Sequence, residues 1–263
     1  MLRTLIAATL IVTAVPAGRA QDMIQYLDLK SDEFTKADVS REDIERQLAS
    51  LKPGETLDLS GQRLNRLDLS GLDLRRVKLQ SARVNGARLA GANLSGVVLD
   101  QAWMLDSDLT DANLSGASLF GTQLMGARMD RADLSGARVA GDLSRASLVA
   151  ARFDGADLSA DMKNQSMGLM RGVFKSANLE GASFAGANLS RVVLEFASLR
   201  NASLKSARLD GAELAAADLT GADVTGASFA MADVNSARLV DLVGADKAAG
   251  LDGAKNIDRA VRK

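Results

Sequence analysis

Any chemistry in this chain falls to its carboxylates, because 33 Asp and Glu residues are present but no histidine or cysteine. Carboxylates can serve as general acids and bases or hold hard cations, yet both tasks need a defined cluster. The missing cysteines exclude disulfides, thiolate catalysis and Cys-ligated zinc. The missing histidines remove the commonest general base and metal ligand. A calcium loop over Asp28–Val39 fails: Lys30 falls at position 3, Glu33 replaces the glycine of position 6, and Val39 ends the loop. No phosphate loop, nucleophile elbow or ligand spacing for a metal occurs. Asn93, Asn113 and Asn188 each open an Asn-Leu-Ser triplet, but a repeat generates these automatically. No catalytic, cofactor-binding or metal-binding residue is assigned, and an enzyme is not expected. Net charge is −1, so neither a basic footprint for nucleic acid nor a strong acidic field is present.

The elements that would position any site are set by one phrase, Ala-Asn-Leu-Ser-Gly at Ala112–Gly116. It recurs at Ala92–Gly96 and, nearly unchanged, at Ala132–Gly136 and Ala217–Gly221. Central apolar residues run every five positions from Leu59 to Val139, and a small residue, mostly Ala, stands two places before each. One residue is lost before Leu143. Leu148, Phe153 and Leu158 keep the new phase, and the stretch 161–166 reads as a unit with one inserted residue. Leu169 and Phe174 then restore the first phase, which continues to Leu239, for 36 centres in all.

A helix needs apolar residues every 3.6 positions and a strand every two, so period five fits neither. A chain that turns a corner every five residues does fit, with the centre and the preceding small residue inward. Gly, Asn, Asp and Ser suit such corners because they tolerate positive φ or satisfy backbone groups locally. With 47% hydrophobic but only 3% aromatic residues, the core is one of Leu, Val and Ala. The pattern over 57–241 resembles the pentapeptide repeat family, whose consensus is close to A(D/N)LXX. The resemblance implies an all-β solenoid, a right-handed quadrilateral β-helix with four units per coil. About nine coils at ~4.8 Å each would make a rod roughly 43 Å long.

The ends differ from the rod. Residues 1–20 carry Arg3, an apolar run from Leu5 to Val15, then Pro16 and the small residues Gly18 and Ala20, which reads as a cleaved secretory signal. Its run is too short to span a bilayer, so no stable membrane insertion is expected after cleavage near Ala20. Residues 21–56 form an N-terminal cap with one helix, in which Ser40 and Asp43 make a capping box, Val39 and Ile44 a hydrophobic staple, and Ile44, Leu48 and Leu51 one apolar face. Residues 242–263 lose the rhythm and are expected to form a C-terminal cap, with a short helix over 245–251 and Leu242, Val243, Leu251 and Ile257 covering the last coil.

Four-unit coils would stack residues twenty apart, bringing Asp68 to Arg88 and Asp108 to Arg128 as surface ion pairs. The same stacking gathers Val98, Trp103, Leu105, Phe120 and Met125, which stand where polar residues are the habit. Either they form a protein-binding patch, or the N-terminal segment or the insert at 161–166 folds over them. The expected function is a non-enzymatic, periplasmic or secreted scaffold whose partner is a protein. A homodimer through a terminal cap is a possible assembly, by family analogy. The family also contains DNA mimics that protect DNA gyrase. That role would need a cytoplasmic, strongly acidic protein, whereas here Arg83, Arg88, Arg128, Arg131 and Arg138 are mixed among the acids.

Overall fold

The computed structural model describes residues 27–162 and 170–263, so the expected signal at 1–20 lies outside the described residues. The chain winds into a solenoid whose coils pair in parallel, one bridging residue per face. One ladder climbs through Arg63, Arg83, Trp103, Gln123, Asp142, Val173, Val193, Glu213, Asp233 and Lys255; we call this face two. Face one carries Val98, Ser118, Arg138, Asp157 and Asn188 in the same manner. Among the described residues the ladder widens into strand only at β1 (Leu57–Asp58), β2 (Val77–Lys78), β3 (Ser118–Gln123) and β4 (Arg138–Asp142). Elsewhere the corners interrupt it.

Each corner has a local cause. The centre carbonyl accepts the amide three residues on, as from Ala92 to Leu89 and from Ala112 to Leu109. The residue before that amide takes positive φ, as at Gly91 (65°) and Asp111 (57°). A positive φ at the third turn residue is the mark of a type II turn, and it explains the preference for glycine there. Where Asp or Asn precedes a centre, it closes the turn a second way. Asn93 Oδ1 accepts from Ser95 N, Asn113 Oδ1 from Ser115 N, and Asp218 Oδ1 from Thr220 N. The repeated carboxylates and amides are thus turn-formers first. Coil then joins coil by paired amides, such as Leu94 N to Asn113 O and Asn113 N to Ala92 O. The centres and their partner alanines fill the interior, buried from Leu64 through Leu239.

The bottom of the rod is covered by α2 (Arg41–Ser50), which has the full Ser40/Asp43 capping box. Ile44 is wholly buried, and Val39, Leu48, Leu51, Leu67 and Leu72 pack around the same core. The larger residues at Leu67 and Leu72 therefore belong with the cap. Arg41 ties α2 down by donating to the carbonyls of Asp68 and Ser70.

Of the two departures from period five, the one-residue loss before Leu143 is as the sequence predicts, and the insertion is not. The step from Gln123 to Asp142 is 19 residues, because β4 runs straight through a corner that β3 below it turns. Gly141 makes this possible, since a Cβ there would lie 2.5 Å from the Thr122 carbonyl oxygen. The next step, from Asp142 to Val173, is 31 residues, eleven more than a regular coil. The expected one-residue insertion is therefore an eleven-residue excursion between the consecutive core centres Leu158 and Phe174. Its neck is closed by Asp161 N on Met170 O and Gly172 N on Leu158 O. The expected centre Leu169 falls within residues 163–169, which lie outside the described residues.

The tail also keeps a rhythm, contrary to expectation. Val243, Ala249, Lys255 and Val261 bridge to Asp223, Ser228, Asp233 and Arg238, so the last coil steps by six. Gly244, Gly250 and Asn256 take left-handed φ where centres would stand, and short 3-10 turns follow at Ala245–Lys247 and Ile257–Arg259. Leu251 and Ala254 fold in to cover the core, whereas Val243, expected to cover it, is exposed.

Candidate interaction surface

Face two is where the outward residues stop being generic. At its lower end Asn65 and Asn85 are buried in successive coils. Asn65 Nδ2 donates to the carbonyls of Glu33 (3.0 Å) and Lys36 (2.8 Å), while Asn65 Oδ1 accepts from Asn85 N and Nδ2. Asn85 Oδ1 in turn accepts from Leu105 N at 2.9 Å. These bonds fasten the short helix α1 (Asp32–Thr35) against the rod. Phe34 meets Trp103 edge-on, with ring centroids 5.4 Å apart, and the Arg83 guanidinium lies 5.8 Å from the Phe34 ring centre and pairs with Glu33. Below them Asp38 receives the Arg63 side chain and amide, and Ala37 bridges Leu64 antiparallel.

Farther up, Arg171 crosses face two from the neck of the excursion. It donates to Arg191 O at 3.0 Å and pairs with Glu213 at 2.9 Å. Val173 and Val193 are buried on this outer face although polar residues are the rule there. The Met170 methyl rests beside Gly121, and Gln123 Oε1 is buried without a hydrogen-bond partner.

The five apolar residues singled out in the sequence are not one exposed cluster. Leu105 is buried, Trp103 lies beneath Phe34, and Met125 is half-buried on face two. Val98 stays exposed at 42% on face one, near Phe120. Phe120 lines a groove of about 630 Å3 with Asp100, Ser118, Arg138, Asp157, Ser159 and the neck residues Ala160–Met162. Arg138 is held there by the carbonyls of Asp157 and Ser159. The N-terminal segment therefore covers the Trp103 part of the patch, while Phe120 lies in an open groove. Sequence reading missed Asn65, Asn85 and Arg171. Identical Asn residues twenty apart were the available signal for the first two.

The ion pairs behave as surface pairs. Arg88 lies 3.4 Å from Asp68 and Arg128 3.9 Å from Asp108, and both arginines are largely exposed. Among the described residues no group of three or more His, Cys, Asp or Glu could hold a metal. No described helix is long and apolar enough to cross a membrane.

The pentapeptide repeat model matches in eight copies, over residues 57–91, 73–111, 107–141, 173–205 and 207–246. The chain belongs to the pentapeptide repeat family. The matches skip the coil and excursion between 141 and 173, where the ladder departs from its twenty-residue step. Among solved structures the chain is similar to HetL, a pentapeptide repeat protein involved in heterocyst differentiation regulation from the cyanobacterium Nostoc. The identity is 26%, over 85% of this chain and 99% of HetL, with a TM-score of 0.40. It is also similar to QnrB1, a plasmid-mediated fluoroquinolone resistance protein, at 19% identity over 76% of this chain and 90% of that one, TM-score 0.42. A pentapeptide repeat protein of the Arabidopsis thaliana thylakoid lumen matches at 19% identity over 51% of this chain and 66% of its own, TM-score 0.19. Among curated proteins none matches.

The Asp38 contact gives this pentapeptide repeat protein a pH response. The Arg63 side chain, and then its amide, hold the Asp38 carboxyl below the usual carboxylate range. A depressed folded pKa means the unfolded segment takes up protons first. The contact therefore stabilises fully above about pH 4 and is lost as pH falls through the folded value. Acidification from pH 5 to pH 2.5 should shift Trp103 emission to the red before far-UV circular dichroism changes. Emission that holds until the whole rod unfolds would show that Asp38 does not tether the segment.

Proposed function

We propose that the protein is a non-enzymatic scaffold, exported to the periplasm or beyond, that binds another protein through the outer faces of its rod. Within this reading the rod is a right-handed quadrilateral β-helix of about nine pentapeptide coils with a cap at each end. The matched family model describes a structural repeat and no reaction. The observation that carries the reading is the groove in which Phe120 and exposed Met162 lie among polar residues, with exposed Val98 bridging the lining residue Ser118 from the coil below. Exposed apolar surface rimmed by charges marks protein interfaces more than small-molecule chemistry.

A photo-crosslinking residue at Val98 or at Phe120 tests this in cells. Both positions should yield the same adduct with one protein, and a probe at Ser115, outside the groove, should yield none. Equal labelling from all three positions would remove the groove from the account. Fractionation of a C-terminally tagged chain tests export: recovery of the uncleaved chain in the cytoplasm would overturn the assigned compartment.

A further inference from the structure

Residues 27–38 contact the rod in the manner of a bound peptide. No residue of α1 is buried and Ser31 makes no side-chain cap, whereas α2 beside it has a capping box and the wholly buried Ile44. The rod beneath is a built receptor. Arg83 meets a carboxylate, Trp103 meets an aromatic edge, Asn65 reads two backbone carbonyls, and Leu64 pairs with an extended residue. Arg83 Nε is buried there without a hydrogen-bond partner. Five consecutive residues of the segment, Glu33 to Ala37, supply all four contacts.

We propose that this part of face two is a peptide-recognition site for an acidic residue followed directly by an aromatic one, occupied in the free protein by the chain's own Glu33–Phe34. The occupant that replaces it is a segment of a partner protein with the same acidic–aromatic pair, a helical turn and an extended residue beyond. Charge complementarity sets this choice: Arg63 and Arg83 stand in successive coils under the segment, and each already holds a carboxylate, Asp38 and Glu33. A tethered segment competes at an effective concentration in the millimolar range. A partner therefore binds weakly until the segment lifts, and the site is self-inhibited. The proposal rests on reading the protein as an interaction rod.

Trp103 is the only tryptophan, so its emission reports the site directly. The full chain carrying Glu33→Ala and Phe34→Ala should fold, with circular dichroism unchanged and emission shifted to the red. A synthetic peptide of residues 27–39 should reverse that shift saturably, and bind the unsubstituted chain at least tenfold more weakly. A peptide with the same two alanines should have no effect. An independent arm uses Arg83→Glu in the alanine-substituted chain: it should lose the natural peptide and accept one carrying Glu33→Arg. The proposal is overturned if no saturable change occurs below about 1 mM, if both chains bind equally, or if charge reversal changes nothing. These titrations need no cellular partner, so their failure is separate from a failure of crosslinking at the Phe120 groove.

Discussion

Replacing Phe153 by Ala lowers the stability of the rod by about 3–5 kcal/mol, the usual cost of emptying a phenylalanine site in a packed core. Phe153 is fully buried, stacks on Phe184 at 4.8 Å between ring centroids, and meets Phe174 edge-on at 5.9 Å. These three rings bracket the excursion, where Leu158 and Phe174 follow one another as centres across an eleven-residue break. The stacked backbone above and below cannot close a hole there without breaking ladder hydrogen bonds. At roughly 2–4 °C per kcal/mol for a chain of this size, the melting temperature should fall by about 6 °C or more. Phe229→Ala supplies the comparison: Phe229 is equally buried, but among the described residues no other ring is in contact with it. A smaller loss at Phe153 than at Phe229 would mean that the ring cluster adds nothing beyond burial.

Gly141→Ala should cost about 3 kcal/mol, the upper part of the range for overpacking. The added carbon meets the Thr122 carbonyl oxygen at 2.5 Å and the Leu119 carbonyl at 3.3 Å. Both neighbours are backbone, so no side chain can swing away. Relief requires β4 to separate from β3, and with it the pairing of Phe120 with Ala140. Gly136→Ala is the control, because a Cβ there meets nothing within 4 Å and carries only the penalty of its positive φ. Equal melting temperatures for the two variants would refute the close approach as the cause.

The regular coils were legible because each decision is local. Leu at the centre, Ala two places before it and Asp or Asn between them specify burial and a side-chain-closed turn within one unit. The irregular coils were not. A loss of one residue followed by a gain of eleven returns the apolar period to its starting phase, so the sequence between Leu158 and Phe174 imitates continuity. The tail misled in another way: Ala248, Ala254 and Ala260 recur every six residues, with Gly244, Gly250 and Asn256 in the centre position. A search at period five reads them as noise. The candidate surface was legible only in composition. Nothing near Trp103 in sequence announces Phe34, and nothing near Val193 announces Arg171, because each contact is made by a segment that leaves the repeat.

Four aspartates reach across coils in one manner: Asp100 accepts from Ser118 Oγ, Asp130 from Ser147, Asp154 from Ser183 and Asp210 from Ser228. Three of them also take an amide of the upper coil, from Phe120, Val149 and Ala185. The Asp130 staple spans the shortened coil, and the Asp154 staple spans the excursion. In a linear array, stability is a sum of unit terms and nearest-neighbour couplings, and melting divides where a coupling is weakest. The two places where the repeat is broken are the natural points of division, and each carries a carboxylate stitch. The array should therefore melt as one cooperative block instead of two short rods joined by a loop.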